Sequence, residues 1–225
     1  APAAPSPALA RGPLLAAHRG LCSAAAEKSA DGAAAAGVVV KMPSVEEPMV
    51  LYQYQTCPFC NKVRAFLDLY GIPYRTVEVN PLSKAELKFS ADYKKVPVAV
   101  FPSPSGRHQI NGSNTIIETL SSLLPPSTAP PLTAADRTKL AWLDTHLIKL
   151  LPPNIYRTPR ESLQTFAYLT SVSNFTLPQK LAARYLGALL MYLVARRIAA
   201  RLGVAGDPRG ALCAAVDEWV GAVEG

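Results

Sequence analysis

The chain has 225 residues, 49% of them hydrophobic and 17% charged, and a net charge of +7. That apolar content supports a substantial core, and the length allows one large domain or two small ones. The positive charge is dispersed, without basic runs interleaved with aromatics, which argues against nucleic acid as a partner; weak attraction to an anionic membrane surface fits better.

Residues 1–48 are rich in Ala, Pro and Ser, carry Arg11, His18 and Arg19, and hold no acidic residue before Glu27. They read as a disordered leader, or as a transit peptide for an organelle such as a mitochondrion or chloroplast; a membrane-associated or cytoplasmic location is the alternative. The chain opens without an initiator Met, as a fragment or a processed form would. No apolar run in the leader approaches the ~20 residues that a membrane-spanning helix needs.

From Met49 the pattern changes to regular elements. Met49–Tyr54 is a strand, followed by an amphipathic helix over Pro58–Tyr70 with Val63, Phe66, Leu67 and Tyr70 on one face and Gly71 at its end. Pro73–Val79 alternates as a second strand, and Ser83–Phe89 is a helical turn with Ser83 and Glu86 at capping-box spacing. Val98–Phe101 and Arg107–Ile110 are two strands around a Pro/Ser/Gly turn. Ser113–Leu124 is a helix with Ser113 as its N-cap and Ile116, Ile117 and Leu120 inward. The order βαβ, short α, ββα over 49–124 is that of an α/β thioredoxin-like domain of glutaredoxin type. A stiff, extended Pro-rich linker over 125–133 follows.

Residues 134–225 read as all helical. Thr133 caps a helix carrying Leu140, Leu143, Leu147 and Leu151; Pro159 opens a second, Pro178–Leu202 is a long third and Pro208–Val223 a fourth. The third contains Tyr185–Ala195, eleven residues without a charge, which at that length reads as a buried core helix rather than a membrane segment. Arg196, Arg197 and Arg201 near its end complement the helix dipole. Trp142 and Trp219 read as core.

The chemistry concentrates at Cys57-Pro58-Phe59-Cys60, where the first strand meets the first helix. A cysteine just ahead of a helix N-terminus meets unpaired N–H groups and the positive end of the dipole, so Cys57 is expected to be a thiolate nucleophile near neutral pH. Cys60 lies one turn further in, within reach for a disulfide, and Pro58 sits at the first helical position, where its missing N–H costs nothing. Cys22 and Cys213 are unpaired in sequence, so this is no secreted disulfide framework. His18, His108 and His146 are scattered and no second CxxC exists, which leaves no metal site. Lys62 and Arg64 read as solvated helix residues, and Tyr54 as core packing in its strand.

This plan resembles a glutaredoxin-type domain joined to an all-α glutathione-transferase C-terminal-like domain. In particular, LYQYQTCPFCNKVRAFLDLYGIPYRTVEVNP, KFSADYKKVPV, PPNIYRTPRESLQTFAYL, KLAARYLGALLMYLVARRIAARL and AAVDEWVGAV resemble the prostaglandin E synthase type 2 family, the membrane-associated kind. The resemblance implies that Cys57 is the catalytic thiol, that Tyr54 hydrogen-bonds it, and that Cys60 is its redox partner. It also implies that glutathione is held by the backbone at Val96 before a cis Pro97, by Gly112 and Ser113 at a helix N-terminus, and beside Phe59. Two departures stand out. Gly112 occupies a position where many members carry an acidic residue, and the family's helical module normally runs on past the position of Gly225, which reads as truncation and bears on its dimer surface.

Three functions follow. The resemblance implies an isomerase converting prostaglandin H2, a small lipid endoperoxide, to prostaglandin E2 with glutathione bound; haem, peripheral membrane association and a homodimer rest on resemblance alone. The residues by themselves imply a glutaredoxin-like thiol-disulfide oxidoreductase or glutathione-transferase-like enzyme. A non-enzymatic haem- or glutathione-binding protein is the third.

Overall fold

The computed structural model describes residues 40–104 and 106–224. Strand β1 (Met49–Gln53) buries alternate residues, helix α1 (Pro58–Leu69) returns along the sheet, and β2 (Tyr74–Glu78) pairs parallel to β1. After a 3₁₀ turn (Ala85–Leu87), β3 (Val98–Ser103) and β4 (Gly106–Asn111) form an antiparallel hairpin, and α2 (Ser113–Leu123) closes the unit. The sheet order is β2-β1-β3-β4, with β3 antiparallel to β1. Met49, Leu51, Val63, Leu67, Phe101, Ile116 and Leu120 pack into one core between the sheet and the two helices. This is the thioredoxin-like arrangement, and an all-helical module follows it.

Residues 40–48, expected in the leader, are held on this domain. Val40 packs on the core and the Lys41 N–H donates to the Pro102 carbonyl at 2.9 Å. The rest of the leader and its transit-peptide reading lie outside the described residues. No capping box forms between Ser83 and Glu86: Lys84 precedes the 3₁₀ turn with φ of +50°, and Glu86 instead accepts the Asn80 N–H at 2.8 Å. Asn80 in turn accepts from the Leu82 and Ser83 N–H groups, so the asparagine side chain outcompetes the serine as local acceptor. The Pro-rich linker is not extended. Pro125 accepts from the Thr128 and Ala129 N–H groups, and Ala129 is buried.

In the helical module, Thr133 and Asp136 form a reciprocal capping box at the start of α3 (Ala134–Trp142). A π-turn (Leu143–Leu147) then leads into α4 (Ile148–Ile155). Its wider winding shifts the inward face, so Ile148 and Leu150 are buried while Leu147 and Leu151 are only half-buried. Helix α5 (Pro159–Thr165) carries a second capping box, Thr158 with Glu161, and runs into a 3₁₀ turn (Phe166–Thr170). Helices α6 (Leu177–Arg201) and α7 (Pro208–Glu224) complete the module.

The apolar stretch of α6 is not a buried core helix. Its buried face is built from Ala183, Gly187, Ala188, Ala195 and Ala199, while Leu186, Leu189 and Leu190 are 52–55% exposed. The reason is close approach. The Phe166 ring lies so near Gly187 that a Cβ there would stand 2.6 Å from its Cε1, and the Ser162 hydroxyl donates to the Ala188 carbonyl at 2.6 Å. Small residues therefore face the neighbour and large ones turn outward. Trp142 and Trp219 are half-buried rather than core and stack on each other at 5.9 Å. Among the described residues no helix is long and apolar enough to cross a membrane.

Candidate thiol site at the module junction

Strand register brings the site together. Tyr52 pairs with Val98 and Val98 with Asn111, so the ends of β1, β3 and β4 converge. Tyr54, the Val96-Pro97 bond and Gly112 are the next residues on these three segments. The Val96-Pro97 peptide is cis, and the Pro97 carbonyl accepts the Gly112 N–H at 3.1 Å. Val96, Tyr54 and Tyr93 pack around one small cluster of Val79, Leu87 and Val98.

Cys57 is the N-cap of α1, with Pro58 in the first turn; its N–H donates to the Tyr54 carbonyl at 3.0 Å and its carbonyl accepts from Asn61 at 2.9 Å. Cys57 is half-buried, Cys60 is buried, and both are free thiols. The Cys60 thiol, donating to the Cys57 sulfur, is the largest influence holding Cys57 down at about 7; burial opposes it, and the N–H groups of Cys60 and Phe59 add to it. The helix N-terminus therefore acts as expected, but the neighbouring thiol acts more strongly. Donation to Cys57, together with burial, pushes the Cys60 thiol well above the usual range. Cys57 therefore ionises around neutral pH while Cys60 keeps its proton.

Burial, and then the charge of the thiol pair, raises Tyr54 to about 12, so its hydroxyl remains a proton donor. The hydroxyl-to-thiol hydrogen bond expected for Tyr54 is not formed. Its backbone is what binds the pair: the carbonyl accepts from Cys57, and the Tyr54 N–H donates to the Cys60 sulfur.

Gly112, not Ser113, is the N-cap of α2; Ser113 is the buried first helical residue, and no side chain caps that end. The N–H groups of this first turn therefore have no side-chain cap. Gly112 has φ of +84°, and a Cβ there would meet only the Tyr93 hydroxyl at 3.9 Å. Backbone conformation rather than crowding thus disfavours an acidic residue at this position.

Three polar clusters around the site were invisible to motif reading. Lys62 is not solvated: its ammonium reaches Asp144 of the π-turn at 2.6 Å and Asn114 of α2 at 2.7 Å, with the ion pair's side chains 13% and 17% exposed. Arg64 does sit at the surface, bonded to the Gln55 carbonyl and to Asn61. Glu78, buried, accepts from the Gln55 N–H at 2.8 Å, the Tyr168 hydroxyl at 2.8 Å and Gln53 at 3.4 Å. The Thr56 hydroxyl stands near enough to the Tyr156 and Tyr168 hydroxyls to ease their ionisation. The available signal was positional. Gln53 falls in phase with buried Met49 and Leu51, and its register partner is Glu78, so two polar side chains occupy core positions at adjacent strand ends.

Residues 51–128 match the family model described as glutathione S-transferase, N-terminal domain. Prostaglandin E synthase 2 of Mus musculus is 34% identical, over 78% of this chain and 56% of that protein. The protein of the same name from Danio rerio is 32% identical, over 78% and 57%. The chain thus spans a little over half the length of these curated relatives. Among solved structures, glutathione transferase Omega 2S from Trametes versicolor aligns over 76% of this chain and 89% of its own, at 16% identity and a TM-score of 0.40. By sequence the chain is a relative of the proteins named prostaglandin E synthase 2, with a glutathione S-transferase N-terminal domain as its first module.

Proposed function

We propose that this protein isomerises prostaglandin H2 to prostaglandin E2 at Cys57, with glutathione bound beside it. The observation that carries the reading is the Cys57 thiolate, near pKa 7, in a chain whose curated relatives bear that activity's name. The reaction is an isomerisation without net electron transfer. A base removes the C9 proton, the C9–H electron pair becomes the carbonyl π bond, the O–O bond breaks, and the oxygen left on C11 takes a proton. Cys57 suits the base, because its conjugate thiol can return a proton to the C11 oxygen. Tyr54, protonated at neutral pH, can donate to that oxygen as charge develops on it.

For glutathione, the cis Val96-Pro97 segment offers backbone to a peptide edge, and the uncapped start of α2 at Gly112 and Ser113 suits the γ-glutamyl carboxylate. Phe59 supplies an N–H at the sulfur, and its ring centre lies 5.9 Å from the Lys62 ammonium. The reaction as written needs no haem.

A second reading is favoured by one observation. A buried Cys60 thiol hydrogen-bonded to Cys57 is what a glutaredoxin-like resolving cysteine requires: Cys57 attacks a mixed disulfide and Cys60 displaces the product as an intramolecular disulfide forms. Cys57→Ser and Cys60→Ser, each assayed with prostaglandin H2 and with a glutathionylated disulfide, separate the two. Loss of both activities in Cys57→Ser, with isomerisation retained in Cys60→Ser, is expected. Full prostaglandin E2 formation by Cys57→Ser would refute the isomerase mechanism.

A further inference from the structure

We propose that Glu78 is the positioning residue of the thiol site, pinning the turn that carries Tyr54 and Cys57, and that Tyr168 ties it to the helical module. This rests on the reading of Cys57 as the reactive thiol, not on the identity of the substrate.

The turn from Gln53 to Cys57 has no side-chain cap of its own at the helix start, so something else must fix it. Glu78 does so from the neighbouring strand. One carboxylate oxygen accepts the Gln55 N–H, in the middle of the turn, and also the Tyr168 hydroxyl, both at 2.8 Å. The other accepts from Gln53 at 3.4 Å. The Glu78 backbone is tied to the second module as well, its carbonyl accepting from Asn174 at 2.9 Å. Glu78 is 8% exposed and has no cation within ion-pair distance among the described residues. A buried carboxylate held by neutral donors alone is an expensive arrangement, and such groups concentrate near functional sites.

The titratable and charged groups around Glu78 are Tyr54 and Cys57 on the turn, Arg64 on α1 and Tyr168 on the 3₁₀ turn after α5. The Glu78 charge opposes ionisation of Cys57 and Tyr54, against the thiol and N–H groups that promote it at Cys57. Its charge therefore adds to what resists ionisation of Cys57, behind the larger influences of the Cys60 thiol and burial, and its hydrogen bonds hold the turn on which Cys57 stands.

The test uses the whole chain, with iodoacetamide as probe and alkylation at Cys57 read by tandem mass spectrometry across pH. Glu78→Gln keeps the shape and removes the charge. Its alkylation midpoint should move to lower pH, giving at least about threefold faster alkylation than the wild type below the wild-type midpoint. An unchanged midpoint overturns the proposal. Tyr168→Phe keeps the ring and removes the donor, and serves even where Glu78→Gln folds poorly: it should move the midpoint in the wild type. In the Glu78→Gln background its shift should be at least halved; an equal shift in both backgrounds overturns the link between modules. Because alkylation needs neither endoperoxide nor glutathione, failure here is distinguishable from failure of the isomerase reading, which shows as retained product formation by Cys57→Ser.

Discussion

The Lys62–Asp144 pair should act as a latch between modules, and its strength can be set between two limits. Lys62 on α1 meets Asp144 on the π-turn at 2.6 Å, and Asn114 in the first turn of α2 bridges both, donating to Asp144 at 2.9 Å. Breaking a fully buried pair from one side costs ~3–5 kcal/mol, and an exposed pair is worth at most ~1 kcal/mol. With side chains 13% and 17% exposed, Asp144→Asn should cost about 2–3 kcal/mol, since it leaves the ammonium largely desolvated beside neutral partners. At ~2–4 °C per kcal/mol for a protein of this size, Tm should fall by about 5–10 °C. The control is Arg137→Ala, which removes the Glu118 ion pair, whose side chains are 57% and 43% exposed and which should shift Tm by less than about 2 °C. The double variant Lys62→Met/Asp144→Leu should recover most of the loss, because it leaves no unpaired charge. Thermal unfolding followed by circular dichroism measures all four proteins. A fall below about 2 °C for Asp144→Asn, or a double variant no more stable than Asp144→Asn, would refute the latch.

Cys60→Ala should raise the alkylation midpoint of Cys57 from about 7 toward the ~8.5 of a free thiol, because it removes the donor with the largest effect; rates across pH decide it. Gly187→Ala drives a methyl into the Phe166 ring and should cost about 1–3 kcal/mol in urea unfolding, partly restored by Phe166→Leu. Thr158→Ala removes an α5 cap and should cost about 1 kcal/mol in the same assay. Burial raises the Glu78 carboxyl above 4.5, so the stability linked to its protonated form is complete below the unfolded value and lost as pH rises through the folded one. The stability of the wild type minus that of Glu78→Gln should therefore decrease as pH rises above 4.5; an increase would contradict the sign.

Much of the first module was legible because its signals are local. Period-two burial in Met49–Gln53, the stripe on α1 and the inward Ile116, Ile117 and Leu120 all appear within one element. The placement of Cys57 and Cys60 at the start of α1 was legible for the same reason, since a Cys before a helix start needs only its own neighbours. What escaped depends on partners distant in sequence. Asp144 lies 82 residues from Lys62 and Tyr168 lies 90 from Glu78, and nothing in either neighbourhood announces the other. The orientation of α6 escaped for a related reason. A uniformly apolar run gives no periodicity to choose a face, and small residues claimed the inner side only because Phe166 and Ser162 press there.

The same distinction bears on what the helical module contributes to the chemistry. A strand–Cys-x-x-Cys–helix unit alone already supplies everything that favours the Cys57 thiolate: the Cys60 thiol and the N–H groups of α1. The influences that oppose it are burial and the charge on Glu78. The helical module reaches the turn at Thr56 through Tyr156 and Tyr168, and Tyr168 also holds Glu78. Closing that module over the turn therefore does not make the thiol more acidic. It restrains the thiolate while shielding it from water, keeping its titration close to neutrality, where one group can take a proton and give it back. An attacking redox thiol and a proton shuttle both profit from titration near ambient pH, so this restraint serves Cys57 in either reading of the site.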